Sequence, residues 1–484
     1  MTDLKLFNSL TREIEPFQPI HEGEARVYTC GPTVYNYQHI GNMRAYVFAD
    51  TLGRTLQHKG LKLTHVINIT DVGHLTSDAD EGEDKMEKMA ASQGKSAWDI
   101  AKFYQEDFER DLGRLNVQKK QHPRATEYVE EMIAWGVNMA DKHCYECETG
   151  LYFDTTTVAD YGRLARAVTE EGAEETRGRI ETVEGKRNAA DFAIWRKTPD
   201  GESRQMEWDS PWGKGAPGWH LECSVMGEKL LGFPFDIHTG GIDHREIHHP
   251  NEIAQNQAFC DCGGLSDAKN SGANIWMHNN FLVERSGKMS KSSGEFLRLQ
   301  LLLDKGYHPL SYRMMCLQAH YRSELEFSWD GLEAALTRLK RMVMQAERLA
   351  DAEPQPEAEH PKFAPALEKF DAAISDDLNT AIALTALEDV LATKKVDAGI
   401  KRAVVEHMDS VLGLGLFDLT REALRIRPKS AEIDEAEIED ALARRKAARA
   451  EKDFAASDAI RDELAAKGVD VMDGDPLGWE WKVA

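Results

Sequence analysis

The segment from Arg26 to Arg44 constrains the fold more than any other part of this chain. It opens with a strand-like run, Val27 to Thr29, which Gly31-Pro32 breaks. A helix-compatible stretch starts near Met43, directly after His39-Ile40-Gly41-Asn42. A strand, a turn and a helix N-terminus in this order present backbone N–H groups to a phosphate, and a glycine lets a nucleotide approach the backbone. The segment therefore predicts the nucleotide-binding edge of an open α/β sheet, where His39 can donate a hydrogen bond to a phosphate oxygen.

The pattern downstream continues this arrangement. Ala45 to Lys59 has helical spacing and Leu63 to Ile69 is typical of a strand, so the chain begins with a βαβ unit. Further strands are predicted at Phe235 to His238 and at Ile275 to Val283. From Leu297 onward helical periodicity dominates. We therefore expect a nucleotide-binding sheet followed by a helical region.

Length and charge limit the possible function classes. A chain of 484 residues is long enough for roughly two to four domains. The formal net charge of -24 argues against broad, non-specific nucleic-acid binding, although a local basic surface stays compatible with it. No apolar run approaches the ~18 residues of a membrane span, and the polar N-terminus lacks a signal-peptide core. We expect a cytoplasmic protein without a membrane partner.

The cysteines suggest metal ligands or buried thiols rather than disulfides, because their number is odd and most are scattered. They are Cys30, Cys144, Cys147, Cys223, Cys260, Cys262 and Cys316. The pair Cys144-x-x-Cys147 is only half of a zinc site, and no second pair lies nearby. We interpret it as two ordinary thiols, and Cys260 with Cys262 in the same way.

A second candidate metal set is spread over the chain. His248 and Glu252 are four residues apart and would share one face of a helix. With Cys30 and Cys223 they would supply thiolate, imidazole and carboxylate ligands, all of which suit Zn²⁺. Spacing alone does not assemble residues this far apart, and buried thiols with a surface histidine are the commoner explanation of such residues.

A stretch far downstream, Lys288 to Ser292, changes the interpretation. Together with His39 to Asn42 it resembles the HIGH and KMSKS signatures of class I aminoacyl-tRNA synthetases. Other segments resemble cysteinyl-tRNA synthetases and follow that family's order: Cys30 to Tyr35, Asn68 to Asp71, Gly218 to Cys223, Asp236 to His238, His248 to Gln255, Asp453 to Ala455 and Ile460 to Leu464. The resemblance covers nearly the whole chain.

The resemblance implies an α/β fold, with a Rossmann-type parallel-sheet catalytic domain, a connective insertion and a C-terminal α-helical bundle. The expected domains are 1–120 and 218–305 for the two halves of the catalytic domain, 121–217 for the insertion, 306–425 for the helical stem-contact and bundle region, and 426–484 for a small anticodon-region domain. The second half of the catalytic domain would carry the KMSKS loop.

The resemblance also implies roles for individual residues. The zinc ligands would be Cys30, Cys223, His248 and Glu252. The substrate cysteine would be bound by Thr70 and Trp219. ATP would be bound by His39, Gly41, Asn42 and Lys291, and the catalytic groups would be His39, Asn42, Lys288 and Lys291.

The implied reaction has two steps. The carboxylate of L-cysteine attacks the α-phosphate of ATP, which is bound with Mg²⁺, and a ribose hydroxyl of tRNA(Cys) then takes the cysteinyl group. One bound zinc would select the substrate thiolate over the serine hydroxyl, with the thiolate entering as a fifth ligand or displacing one. We expect a monomer. Two alternatives are a cysteine-activating ligase that uses an amino sugar, as in the mycothiol pathway, and a non-catalytic paralogue that binds tRNA or zinc.

The chain departs from the family pattern in several places. Asn42 replaces the last histidine of HIGH, although its amide can still donate to a phosphate. The segment Ile242 to Ile247 is unusually polar and Pro250 stands where an acidic residue is common, which leaves either His248 or His249 as the ligand. The Cys144/Cys147 pair lies outside the pattern. The basic cluster Arg444 to Lys452 is either an RNA contact or a solvated helix face.

Overall fold

The structure is a computed structural model. It describes residues 2–72, 85–165, 185–261, 270–284, 287–288, 297–356 and 359–483.

The strands in chain order are β1 (Lys5–Asn8), β2 (Glu13–Pro16), β3 (Glu24–Thr29), β4 (Lys62–Ile67), β5 (Cys144–Cys147), β6 (Gly150–Phe153), β7 (Phe192–Lys197), β8 (Gly215–Pro217), β9 (Phe235–Gly241), β10 (Ala273–Asn279), β11 (Leu282–Glu284), β12 (Gly287–Lys288), β13 (Leu325–Phe327), β14 (Val469–Val471) and β15 (Trp479–Trp481). The α-helices are α1 (Ile40–His58), α2 (Lys85–Gln93), α3 (Ala97–Arg114), α4 (Val129–His143), α5 (Trp219–Leu231), α6 (His248–Cys260), α7 (Leu299–Asp304), α8 (Pro309–Leu317), α9 (Trp329–Glu347), α10 (Ala364–Ser375), α11 (Thr380–Ala392), α12 (Ala398–Leu412), α13 (Glu435–Ala450) and α14 (Phe454–Ala466).

Four parallel strands form the central sheet, in the order β10-β9-β3-β4. Strand β3 runs beside β4 from the pair Glu24–Lys62 to the pair Thr29–Ile67, and its last three residues also pair with β9. Parallel neighbours need a crossover connection, which α1 supplies between β3 and β4. Because all four strands point the same way, their carboxyl ends lie along one edge of the sheet, where open α/β sheets bind ligands.

Helix α1 begins three residues earlier than the sequence predicts. The expected start was near Met43, whereas the helix begins at Ile40, with His39 as its N-cap. The backbone of His39 is extended, and its ring nitrogen Nδ1 accepts a hydrogen bond from the N–H of Gly41 at 3.1 Å. Histidine is not among the common N-cap residues, so the residues at this position do not predict a helix start.

The strand predicted at Ile275 to Val283 is interrupted. It divides into β10 and β11 because Asn280 leaves the sheet and donates its backbone N–H to the carbonyl of Tyr321 at 2.8 Å. The second piece, β11, lies between β12 and β13 in a separate three-stranded sheet. This sheet carries the chain toward Lys288.

The rest of the chain follows the expected architecture. Between the two halves of the central sheet, α4 is followed by an antiparallel sheet with the order β5-β6-β7-β8. Helices α9 to α12 follow the central sheet in the chain and pack against one another. The last two helices, α13 and α14, pack with the hairpin β14–β15. The predicted fold class, a parallel α/β sheet with an insertion and C-terminal helices, is confirmed. In the described part of the chain, every helix is too short or too polar to cross a membrane.

A buried ion network joins α1 to the helices that follow the sheet. Asp50 on α1 is fully buried and lies 2.8 Å from Nη2 of Arg313 on α8 and 2.6 Å from Nε of Arg54. Arg313 also donates to the carbonyls of Leu412 and Leu115, at the ends of α12 and α3. Burial raises the pKa of Asp50, but Arg313, Arg54 and Lys120 outweigh it and hold the value at about 2. The carboxylate is therefore the centre that balances several buried cations.

We predict that Asp50→Asn lowers the thermal midpoint strongly at neutral pH, since removing one partner of a buried ion network costs about 3–5 kcal/mol. Because the pKa of Asp50 is lowered, its stabilisation is present above the ordinary value of 3.8 and is lost as the pH falls toward about 2. The difference between wild type and variant should therefore shrink over that range, as followed by circular dichroism.

Asp440→Asn is the matched control for this prediction. Asp440 lies 3.1 Å from Nε of Arg444, and both side chains are largely exposed. Its replacement should leave the thermal midpoint nearly unchanged. An Asp50→Asn variant as stable as Asp440→Asn at pH 7 would contradict the proposed role of the network.

Candidate metal and substrate site

The carboxyl ends of the central strands surround a cavity of about 330 Å³. Cys30 follows β3 directly, and Asn68 and Thr70 follow β4. Trp219 and His248 are the first residues of α5 and α6. Residues from distant parts of the chain thus meet at one edge because each stands at the end of a strand or at the start of a helix.

The four predicted metal ligands lie together at one side of this cavity. One ligand atom from each of Cys30, Cys223, His248 and Glu252 lies within 4.8 Å of those of the others, and all four side chains are buried. The Sγ atoms of the two cysteines are 4.0 Å apart. Nε2 of His248 is 3.4 Å from Sγ of Cys223 and 3.0 Å from Oε1 of Glu252, which is 3.8 Å from Sγ of Cys30.

These distances fit a tetrahedral metal ion. With bonds of about 2.0–2.3 Å, neighbouring ligand atoms of such an ion lie about 3.3–3.8 Å apart. The four distances given above, 3.0 to 4.0 Å, bracket this range, and all the ligand atoms lie within 4.8 Å of one another. Helix α6 explains half of the arrangement, because His248 and Glu252 are one turn apart on it. The buried cluster can therefore hold a metal.

The charges of the cluster also favour a cation. Burial raises the pKa of Glu252, but His238 and His248 outweigh it and hold the value at about 2. Contact with Cys30 lowers the pKa of Cys223 to about 6, while burial raises that of Cys30 well above its ordinary value. Burial lowers the pKa of His248, yet Glu252 and Cys223 raise it to about 10. The protein here surrounds a positive charge with anionic groups.

His249 belongs to an overlapping set. Cys30, His238, His249 and Glu252 also place one ligand atom each within 4.8 Å of one another. Nε2 of His249 is 3.2 Å from Sγ of Cys30 but 3.9 Å from Oε1 of Glu252. The first set contains both thiols and the second only one. A soft metal ion favours the first set for that reason.

A shell of further histidines surrounds the cluster, which the sequence did not predict. Nδ1 of His220 is 2.9 Å from Nδ1 of His248, and Nε2 of His238 is 2.8 Å from Oε2 of Glu252. Nδ1 of His249 is 2.7 Å from Nε2 of His278, on β10, and His278 contacts the hydroxyl of Ser9 at 2.8 Å. Such partners fix the orientation of ligating side chains. Their one signal in the sequence is their position in or beside the predicted strands and helices.

Gly31 and Asn68 fix the position of Cys30. The N–H of Gly31 donates to Oδ1 of Asn68 at 2.7 Å, and the same oxygen lies 3.9 Å from Sγ of Cys223. A Cβ at Gly31 would lie 1.4 Å from the carbonyl oxygen of Asn68, so no other residue fits there. Asn68 belongs to one of the segments that resemble the family, but the resemblance did not predict this role for it.

The two residues expected to bind the substrate side chain line the same cavity. The ring of Trp219 lies 4.4 Å from that of His248, measured between centroids. The hydroxyl of Thr70 donates to Oε2 of Glu222 at 2.7 Å and lies 3.3 Å from Nδ2 of Asn68. Both residues therefore lie beside the four candidate metal ligands, and their contacts fix their orientations.

Three of the expected nucleotide-binding residues, His39, Gly41 and Asn42, line the same cavity at the start of α1. Since Nδ1 of His39 accepts a hydrogen bond from Gly41, the neutral ring carries its proton on Nε2. Nδ2 of Asn42, an exposed residue, donates to Oε1 of Gln38 at 3.1 Å. The N-terminus of α1 adds the positive end of a helix dipole, which favours an anion, while the N–H groups of Ile40 and Gly41 donate to Leu297 and to the ring of His39.

Sequence comparison identifies the family. Residues 16–337 match the model of the class I (C) tRNA synthetase catalytic domain, and residues 435–476 match the cysteinyl-tRNA ligase anticodon binding domain. The chain is 73% identical over 483 residues to the cysteine--tRNA ligase of Novosphingobium aromaticivorans, which covers 99% of this chain and 97% of that protein. The chain belongs to the cysteinyl-tRNA synthetase family. A cysteine--tRNA ligase of Zymomonas mobilis is 52% identical, over 98% of this chain and 97% of its own length.

Solved structures of other class I synthetases share the fold. A LeuRS from Agrobacterium radiobacter, in a ternary complex with tRNA and LeuAMS, superposes with a TM-score of 0.55 at 12% identity, over 85% of this chain and 87% of that one. The methionyl-tRNA synthetase of Mycobacterium tuberculosis bound by methionyl-adenylate gives 0.52 at 13% identity, over 81% and 90%. The chain therefore has the fold of class I synthetases.

Other predicted site residues and the remaining cysteines do not line the cavity or lie outside the described residues. The backbone of Lys288 is the end of β12, whereas Lys291 and Cys262 lie outside the described residues. Cys144 and Cys147 lie on β5, and within the described ranges they belong to no group that could hold a metal. Cys260 is disulfide-bonded, so its interpretation as an ordinary thiol is wrong. In the basic cluster, Arg445 is buried and forms a bidentate ion pair with Asp473, at 2.7 and 2.8 Å. Part of that cluster is therefore structural.

We predict that His248→Ala releases bound metal at chelator concentrations at which His249→Ala retains it. Nε2 of His248 lies 3.4 and 3.0 Å from two ligands of the set with both thiols, whereas Nε2 of His249 lies 3.2 and 3.9 Å from its two neighbours and belongs to the set with one thiol. Metal content after dialysis against graded chelator measures this. A greater loss in His249→Ala would assign the ligand position to His249 instead.

Proposed function

We propose that this chain is a cysteine--tRNA ligase that activates L-cysteine with ATP and transfers the cysteinyl group to tRNA(Cys), as the sequence resemblance implies. Family membership supports the reaction class. The observation that carries the proposal is the arrangement of the cavity. Cys30, Cys223 and His248 of the thiol-rich cluster form one wall, and His39, Gly41 and Asn42 at the start of α1 form another. An amino acid held by its sulfur at the first wall would present its carboxylate to a nucleotide at the second.

The chain's own groups position the reactants for the first step. The carboxylate oxygen of cysteine attacks the α-phosphate, and pyrophosphate leaves, so the step depends on alignment and on neutralising charge. Nε2–H of His39 would donate to a phosphate oxygen, and the positive end of the α1 dipole would stabilise the phosphate charge. Gly41 lets the nucleotide approach the backbone. The attacking carboxylate is already ionised, so the step needs no general base.

The zinc ligands are proposed to be Cys30, Cys223, His248 and Glu252. Zinc bound there supplies a soft cation that binds a thiolate strongly and lowers the pKa of a thiol, whereas the serine hydroxyl is a poor ligand. Trp219 and Thr70 would close the pocket around the short side chain. Shape alone discriminates between such close analogues by only about 10–200-fold. The ligand chemistry therefore carries the selectivity in this proposal.

The remaining assignments also follow the family pattern. Lys288 and Lys291 would stabilise the charge on the leaving phosphates, together with Mg²⁺ bound to ATP. Asn42, which replaces the last histidine of the HIGH motif, would hold the triphosphate with His39. The matched anticodon binding domain supports a tRNA partner. The domain boundaries, the monomeric state and the cytoplasmic location stay predictions.

Neither alternative is favoured. An amino-sugar ligase has no use for an anticodon binding domain, and residues 435–476 match the model of one. A non-catalytic paralogue needs no anion-binding helix end beside the metal cluster, yet both line one cavity.

The direct test is ATP–pyrophosphate exchange with cysteine and with serine, followed by charging of tRNA(Cys), with zinc assayed on the same sample. Exchange with cysteine only, on a zinc-loaded enzyme that charges the tRNA, is expected. Exchange without charging would favour the amino-sugar ligase, and absence of exchange would favour the paralogue.

We predict that Cys223→Ser weakens metal binding and cysteine activation together, each by roughly 100-fold or more, because both depend on the same sulfur. Metal content and exchange rate measure the two effects. Cys147→Ser, a thiol outside the cluster, is the control and should match wild type. Full exchange activity in a metal-free Cys223→Ser protein would exclude the metal from the mechanism.

We also predict that Lys291→Ala slows adenylate formation about 100-fold or more while the affinity for cysteine is unchanged, since the lysine would act on the leaving phosphates. Single-turnover kinetics and cysteine titration separate the two quantities. Lys394→Ala, an exposed residue at the end of α11, serves as the control. Weakened cysteine binding with a normal rate of activation would contradict the assignment.

A further inference from the structure

Arg44 has an unusual environment. It lies in α1, four residues after the helix begins, and only 2% of its surface is exposed. Its guanidinium donates to four backbone carbonyls. Nη1 lies 2.8 Å from the oxygen of Asn280 and 2.6 Å from that of Phe281, and Nη2 lies 3.2 Å from that of His320 and 2.7 Å from that of Ser323. No carboxylate of the described chain forms an ion pair with it.

The two bonded segments hold the sheet that leads to Lys288. Asn280 and Phe281 connect β10 to β11 and line the cavity. Strand β11 pairs with β12, whose last residue is Lys288, and with β13, which follows the turn that contains His320 and Ser323. Arg44 thus links α1 to the segment before β11 and to the turn before β13, the neighbour of β11.

The same part of α1 is fixed from other directions as well. The N–H of Ile40 donates to the carbonyl of Leu297 at 2.8 Å, and the hydroxyl of Tyr312, on α8, donates to the carbonyl of Ile40. A Cβ at Gly41 would lie 3.8 Å from Cβ of Leu282, on β11. The start of α1 therefore packs directly against the beginning of β11.

We propose that Arg44 is a positioning residue for amino-acid activation. It sets the distance between the anion-binding end of α1 and the strands that lead to Lys288, so that groups on both sides reach the same triphosphate. The proposal rests on the proposed function. It explains why a buried cation stands where an apolar side chain would avoid the cost of desolvation.

The geometry requires arginine rather than any cation. The planar guanidinium has five N–H donors in a fixed fork, so that two nitrogens can serve two segments at once. A lysine ammonium at this position is a single point, and it cannot reach both pairs of carbonyls. Arg44→Lys therefore keeps the charge and removes the link.

The experiment compares Arg44→Lys with Arg338→Lys. Arg338 also forms a two-nitrogen fork, with Glu388 at 2.8 and 2.8 Å, but it joins α9 to α11 away from the cavity. Exchange kinetics are measured per folded protein, as determined by circular dichroism. Binding of a non-hydrolysable ATP analogue is measured separately. We expect Arg44→Lys to lower kcat/KM for ATP by about 10–100-fold, to leave KM for cysteine unchanged and to weaken analogue binding, while Arg338→Lys matches wild type.

Two results would overturn the proposal. One is wild-type kinetics for ATP in folded Arg44→Lys. The other is an equal loss for ATP and cysteine, which a purely structural role would produce. If the wild-type enzyme showed no exchange at all, the proposed function would fail by itself. Analogue binding would then decide on Arg44, and unchanged affinity in Arg44→Lys would overturn its role.

Discussion

The approach of Gly31 to the chain at Asn68 is the constraint on which the site depends. The turn after β3 lies so close to the end of β4 that a single Cβ would collide with the backbone. The hydrogen bond from Gly31 to the Asn68 side chain holds the two strand ends together. Cys30 precedes this contact and Thr70 follows it, so the metal cluster and the proposed substrate pocket take their relative positions from one backbone contact.

Helix α1 connects the cavity to other parts of the chain. Its N-terminus faces the cavity, and its fifth residue, Arg44, bonds to the segments beside β11. Further along, Asp50 balances the buried arginines that connect α8, α3 and α12. One helix therefore links the proposed nucleotide-binding part of the cavity with the helices that follow the central sheet. Buried charges without water have strict geometric requirements, which makes these links specific.

The sequence predicted some elements closely and others poorly, for identifiable reasons. Helix α6 carries both His248 and Glu252, as their spacing predicted, and helices α7 to α12 follow Leu297, where helical periodicity was predicted to dominate. The predicted start of α1 was wrong because the N-cap is the ring of His39, which is not a common capping side chain. The strand after Ile275 ended early because Asn280 bonds to a distant carbonyl. Periodicity reports burial along one element, whereas these exceptions depend on partners elsewhere in the chain.

By itself the sequence determined the α/β class, the strand, turn and helix order at Arg26 to Arg44, and the pairing of His248 with Glu252 on one helix face. Those features follow from local periodicity, which 484 residues of sequence record directly. Only the tertiary structure brought Cys30 to Cys223, surrounded them with the outer histidines, and placed Arg44 between the two sides of the cavity. Such contacts join residues up to 279 positions apart. They arise from the parallel alignment of strand ends, which no local pattern encodes.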